Sequence, residues 1–190
     1  MSKNRDAFEK IFEIAESQQG YFTYKQALTA GYYRDAAHFY TKSGEWLREK
    51  RGIYRLAKFP IADRPDLVMW SLWSADRKGN IQGVYSHQTA LSLYDLTDVN
   101  PAKFYMTVPR SFRKGPPMPR GIVLYRAELP ESDVSQFHGY RVTKPARTIR
   151  DMLETGAMHP QDIKMGLRQA VQKGIITRDE ADKIVFPKDM

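Results

Sequence analysis

Gly20, Gly31 and Gly44 cut the first sixty residues into three segments of helical period, and two short strand-like runs follow the last of them. None of these segments is long enough to bury an apolar face alone, so they must pack on one another. Phe8, Ile11, Phe12 and Ala15 fall at i, i+3, i+4 and i+7, which places them on one stripe of a first helix ending at Gln19-Gly20. Thr23 with Gln26 has the form of a capping box, predicting a second helix from about Tyr24 to Ala30. A third helix, about Tyr33 to Ser43, turns Ala36, Phe39 and Tyr40 inward and Arg34, His38 and Thr41 outward, with Asp35 and Lys42 beside them. Trp46–Arg48 and Ile53–Leu56 then read as a hairpin whose connection, Glu49-Lys50-Arg51-Gly52, is basic.

The segment from Phe59 to Asp66 contains two prolines and little periodicity, which places a boundary between residues 1–60 and a second domain over residues 66–190. In that second part Leu67–Ser74 fits a buried strand or a short helix equally well. Ser86 is positioned to cap a helix running to about Tyr94, and Phe104–Val108, Ile122–Tyr125 and Gly139–Val142 read as strands. Helices follow over Thr143–Leu153, with a proline in the first turn, and over about Pro160–Lys173; a last one opens at the Thr177/Glu180 capping box. The fold class expected is α+β throughout, with a helical carboxy-terminal end.

Charge and missing residue types narrow the chemistry. Thirty Lys and Arg against twenty-two Asp and Glu give a net charge of +8, which favours a polyanionic partner. Residues 1–60 carry 11 basic and 7 acidic side chains and residues 61–190 carry 19 and 15, so the shorter part has the same +4 at higher density. The chain has no cysteine, which excludes disulfides, thiolate nucleophiles and thiolate metal sites. No phosphate-binding or dinucleotide-binding glycine motif is present, and His38, His87, His138 and His159 show no metal-ligand spacing. We therefore expect no cofactor, no metal and no catalysis. The amino terminus lacks a signal-peptide core and no apolar run is long enough for a membrane helix, so the expected location is cytoplasmic.

Three helices followed by a basic hairpin form the outline of a winged helix-turn-helix. In that arrangement the third helix enters the major groove and the hairpin leans on the neighbouring backbone. Arg34, His38, Thr41 and Lys42 are the candidate DNA contacts of the helix, and Lys50, Arg51 and Arg55 those of the wing.

The run Gly20-Tyr21-Phe22-Thr23-Tyr24-Lys25-Gln26-Ala27, with Ala30-Gly31-Tyr32, Gly44–Arg48 and Arg51–Leu56, resembles the amino-terminal winged helix of the AbiEi family of antitoxins. Tyr85–Leu91, Tyr94–Asp98, Phe104–Pro109 and Val142–Asp151 resemble that family's carboxy-terminal domain. The resemblance spans about residues 8–155 and weakens beyond Leu153. It implies an antitoxin of a phage-defence toxin–antitoxin system, a transcriptional regulator that binds promoter DNA at inverted repeats and counteracts a nucleotidyltransferase-type toxin. Its most recognisable block falls on Ser86, His87 and Thr89, with Arg147 and Asp151 in a second block. Capping by Ser86 and an i, i+4 pair between Arg147 and Asp151 account for these residues structurally.

Two other functions fit parts of the pattern. A nucleic-acid-processing enzyme targeted by the winged helix would need a carboxylate cluster in residues 66–155, where Asp95/Asp98 and Glu131/Asp133 read as a helix exit and a loop. A lone transcriptional regulator would share the winged helix and lack a toxin partner.

Overall fold

The computed structural model describes residues 2–61, 64–98, 100–115, 117–156 and 158–186; Met1, and Ala62 and Asp63 of the boundary segment, lie outside the described residues. The chain divides into two compact units, one made of residues 1–82 with 136–140 and the other of 83–135 with 141–190.

The first unit runs α1 (Ser2–Ser17), β1 (Tyr21–Thr23), α2 (Tyr24–Ala30), α3 (Ala36–Lys42), β2 (Trp46–Lys50), β3 (Ile53–Leu56) and α4 (Pro65–Trp73). Its strands form an antiparallel sheet in the order β1-β3-β2. The capping box is present in full: Gln26 N–H donates to Thr23 Oγ1 at 3.1 Å, and Thr23 N–H donates to Gln26 Oε1 at 2.7 Å. Leu67–Ser74, which fitted two element types, is helical as part of α4, opened by Pro65 in its first turn. β1 went unread because three residues are too few to show a period; Tyr21-Phe22-Thr23 become a strand by pairing with Arg55, Tyr54 and Ile53.

α3 is shorter than its periodicity predicts, beginning at Ala36 instead of Tyr33. Tyr32 is drawn into the core, edge-on to Tyr40 at 5.3 Å and Trp46 at 5.0 Å, and the backbone leading to it cannot also coil. The helix is also rotated from the expected setting. Ala36, Ala37 and Tyr40 are buried and Phe39 is 55% exposed, because the two alanines let α3 approach the core more closely than a Phe on that face would. On α1, Ile11 and Ala15 are fully buried with Ala7, while Phe8 and Phe12 remain half exposed beside the core.

The second unit contains β4 (Val84–Tyr85), α5 (His87–Leu93), β5 (Phe104–Val108), β6 (Ile122–Arg126), a 3-10 turn (Glu131–Asp133), the start of β7 (Val134–Phe137), all of β8 (Tyr140–Thr143) but its first residue, and α6 (Pro145–Thr155). α7 (Pro160–Gln172) and α8 (Arg178–Asp182) complete it. The sheet order is β6-β5-β4-β8-β7, with β4 antiparallel to β5, and with β4/β8 and β5/β6 parallel. Tyr85, Met106, Val108 and Val142 are buried on the sheet. Leu91, Ile149, Met152, Ile163 and Ile176 form the core among the helices. The architecture is α+β with an all-helical end, as the residues predicted.

Gly20 and Gly44 separate two roles of glycine. Both have positive φ, at 90° and 79°. A β-carbon on Gly20 would come within 2.6 Å of Phe59, whereas one on Gly44 meets no atom of the described residues within 4 Å. Gly20→Ala is expected to destabilise by about 2–4 kcal/mol through backbone strain plus overpacking, and Gly44→Ala by about 1 kcal/mol through strain alone. Urea unfolding of the two variants checks the difference.

Candidate nucleic-acid interface

Beside exposed Phe39, the outer side of α3 carries a polar stripe for a geometric reason. With residues 36, 37 and 40 turned to the core, residues 38, 41 and 42 fall together on the outer stripe, at i, i+3 and i+4. His38, Thr41 and Lys42 are all exposed there. Thr41 donates its hydroxyl to the Ala37 carbonyl at 2.6 Å, so its oxygen faces outward as an acceptor. Arg34 does not lie on the helix, as its spacing had indicated; it sits in the turn before α3, exposed, with its carbonyl accepting from the Tyr24 hydroxyl at 2.9 Å. It stands before the first turn of α3, and its guanidinium forms no ion pair among the described residues.

The wing brings out one of its three expected cations and engages two. β2 extends to Lys50, with a register shift between Arg48 and Lys50, and the turn is Arg51-Gly52 with Gly52 at φ 75°. Arg51 is exposed at the tip, next to exposed Arg48, which sequence reasoning did not select although it belongs to the same basic run. Lys50 lies over the ring of Trp70, its ammonium 4.4 Å from the centroid, and so ties the wing to α4. Arg55 turns onto Glu49 (3.1 Å) with its side chain only 16% exposed. A guanidinium satisfied in that way is poorly placed to reach a phosphate.

The block Ser86, His87 and Thr89 lies in the second unit and is buried, each residue being at most 3% exposed. Ser86 occupies the N-cap position of α5 but does not cap it with its side chain, which corrects the role expected for it. Its hydroxyl oxygen instead accepts from Thr107 Oγ1 at 2.8 Å and lies 2.9 Å from His87 Nδ1. A serine hydroxyl can both accept and donate, so Ser86 bridges Thr107 and the imidazole whichever ring nitrogen of His87 carries the proton. The His87 ring stacks on Tyr125 with centroids 3.7 Å apart, and Nε2 is buried with no hydrogen-bond partner among the described residues. His87 also holds a left-handed backbone, φ 51°, which costs a β-carbon-bearing residue of order 1–3 kcal/mol. Thr89 Oγ1 accepts from the Tyr105 N–H at 2.8 Å. These side chains therefore tie the β4–α5 junction to β5.

Arg147 and Asp151 do pair, Nε to Oδ1 at 2.7 Å, and Arg147 also reaches Asp133 Oδ2 at 2.9 Å, joining α6 to the 3-10 turn. Sequence alone could not supply Asp133, since nothing local links positions so far apart in the chain. Asp151 Oδ2 is buried without a partner among the described residues, and burial pushes this carboxyl above its ordinary range. Among the described residues no group of three or more His, Asp or Glu side chains is disposed to hold a metal ion, and no helix is long and apolar enough to cross a membrane.

Helices α1–α3 with the β1-β3-β2 sheet and its protruding hairpin define the first unit as a winged helix-turn-helix. Residues 9–57, which run from within α1 to just past β3, match the family described as "Transcriptional regulator, AbiEi antitoxin". The match falls on the amino-terminal part of the resemblance read from the residues. Among solved structures, the chain is similar to the crystal structure of the RV2827C protein from Mycobacterium tuberculosis, with a TM-score of 0.51 and 13% identity, covering 94% of this chain and 70% of that one. This likeness concerns the fold. No curated protein matches the chain.

Burial, with the positive charge of Arg147 second, lowers His87 from 6.5 to about 4. The unfolded chain therefore takes up the proton first, and His87 opposes folding progressively as pH falls from about 6.5 to about 4. Asp151, raised by burial, acts in the opposite sense: its folded form keeps a proton the unfolded chain has lost, so its contribution declines as pH rises above its ordinary 3.8. Unfolding free energy is expected to drop by up to about 3 kcal/mol between those pH values on account of His87. His87→Asn, which tolerates the left-handed backbone, should flatten that segment of the profile; an unchanged slope would contradict the assignment.

Proposed function

We propose that this chain is a transcriptional autorepressor that binds double-stranded promoter DNA through its winged helix, and the antitoxin of a nucleotidyltransferase-type toxin. The observation that carries the DNA reading is the grouping of His38, Thr41 and Lys42 on the exposed stripe of α3, with Arg34 before it and Arg51 at the wing tip. These side chains supply what groove recognition uses: a guanidinium able to fork onto guanine, an imidazole and a hydroxyl for base edges, and cations for phosphates. In this reading α3 enters the major groove and Arg48 and Arg51 rest on the adjacent backbone. Lys50 and Arg55 set the shape of the wing more than they contact DNA, since Trp70 and Glu49 already occupy them.

The antitoxin part rests on the family description and on the resemblance of the second unit's blocks. Inverted repeats in the promoter would match a two-fold arrangement of winged helices, each reading one half-site.

Binding to a duplex from upstream of the reading frame tests the proposal. Arg34→Ala is expected to weaken affinity by about 1–3 kcal/mol if it reads a base, and Lys42→Ala or Arg51→Ala to lower the log–log salt slope by about 0.9 each as phosphate contacts. Lys50→Ala and Arg55→Ala should change the salt slope less than Arg51→Ala. Unaltered binding by the Arg34→Ala/Lys42→Ala/Arg51→Ala variant would contradict the interface. Co-expression with the toxin separates the functions: that same variant should lose promoter repression and still restore growth.

A further inference from the structure

The first unit contains a groove that the DNA reading does not use. It arises because the apolar stripe of α1 is wider than the core it covers: Ala7, Ile11 and Ala15 are consumed inside, while Phe8 and Phe12 stay 49% and 41% exposed. Phe12 faces Phe59 at a centroid distance of 6.1 Å, and Phe59 reaches that position because Gly20 has no β-carbon to block it. With Trp46, Leu56 and Tyr32 these rings enclose a cavity of about 550 Å³. That volume and aromatic lining are those of a small-molecule site.

Among the lining side chains, Tyr32 carries a hydroxyl and is 7% exposed. Burial, then the neighbouring Tyr40 and Glu45, push this phenol up to about 12, so it stays protonated and acts as a donor. Glu45 and Lys58 also line the groove, one anion and one cation, and Glu45 accepts from the Ser43 hydroxyl at 3.1 Å. Their charges offset each other, so the groove favours no net charge on its occupant.

We propose that this groove binds a neutral, planar aromatic molecule of one or two rings that presents a ring nitrogen or carbonyl to the Tyr32 hydroxyl, and that its occupancy is transmitted to α3. The route of transmission is direct. Tyr32 and Trp46, two walls of the groove, both pack on Tyr40 of α3, at 5.3 and 5.0 Å between centroids. A ligand that displaces either ring moves the residue by which α3 is seated. The inference goes beyond the promoter reading and does not rest on it.

The test uses the full chain labelled with 15N and two probes of equal shape: quinoline, which has an acceptor nitrogen, and naphthalene, which has none. Quinoline is expected to shift the Trp46 indole N–H and the amides of residues 36–42 saturably. Tyr32→Phe, which keeps the ring, should weaken quinoline roughly 2- to 13-fold, the contribution of one hydrogen bond, and leave naphthalene within about twofold. A silent Trp46 indole, or a Tyr32→Phe effect that is absent or equal for both probes, would overturn the site. A response at Trp46 without one at residues 36–42 would overturn the transmission. Sedimentation of the unliganded chain closes the remaining route: a dimer that Phe12→Ala dissociates would make a second copy the occupant and overturn the proposal.

Discussion

Trp46 is 2% exposed, and its ring meets four others: Phe22 edge-on at 4.7 Å, Tyr32 at 5.0 Å, Tyr40 stacked at 5.0 Å and Tyr54 at 5.9 Å. Those rings come from β1, the segment before α3, α3 itself and β3, while Trp46 begins β2. One side chain thus sets the angle between the helix and the hairpin, the two elements that address DNA in the proposed function. Aromatic pairs of this kind add about 0.5–1.5 kcal/mol each beyond the area they bury, and truncating a buried Trp costs about 3–5 kcal/mol. α3 has only seven residues and no side-chain cap from Asp35, so it could not persist without this packing. The exposed stripe of His38, Thr41 and Lys42 is the reverse side of the same arrangement.

The second unit depends on polar groups where the first depends on rings. Ser86, His87 and Thr107 form a buried chain of hydrogen bonds between β4 and β5, and Arg147 holds α6 to the 3-10 turn through Asp133 while pairing with Asp151 on its own helix. Burying such groups costs desolvation, which unmet atoms at His87 Nε2 and Asp151 Oδ2 make visible as displaced pKa values. The strained backbone at His87 lies at the centre of this network. Its neighbours hold it in place, with the ring stacked on Tyr125 and Nδ1 at 2.9 Å from Ser86 Oγ.

Much of this was legible in the residues. The Thr23/Gln26 and Thr177/Glu180 capping boxes, Gly31 and the basic hairpin each act within a few residues of themselves, so periodicity and spacing found them. What was misread depends on distant partners. Tyr32 shortens α3 because Trp46 and Tyr40 hold its ring, and that shifts Arg34 from the helix to the turn before it. Phe39 points outward because Ala36 and Ala37 are the better fit to the core. Lys50 and Arg55 looked like free wing cations until Trp70 and Glu49 were found beside them, and Ser86 trades its cap for Thr107 and His87. Residues 38, 41 and 42 share one exposed stripe because a helix keeps positions at i, i+3 and i+4 together however it is rotated.

The absence of cysteine allows a direct measurement of whether α3 and the wing address DNA. A single cysteine placed by Thr41→Cys on α3, or by Arg48→Cys on the wing, can carry an iron chelate that cleaves the nearest DNA strand. The account predicts scission of the upstream duplex at two adjacent positions, the α3 probe cutting within the groove that the helix occupies and the wing probe cutting beside it. Uniform cleavage along the duplex, or scission from a probe on the second unit alone, would contradict it.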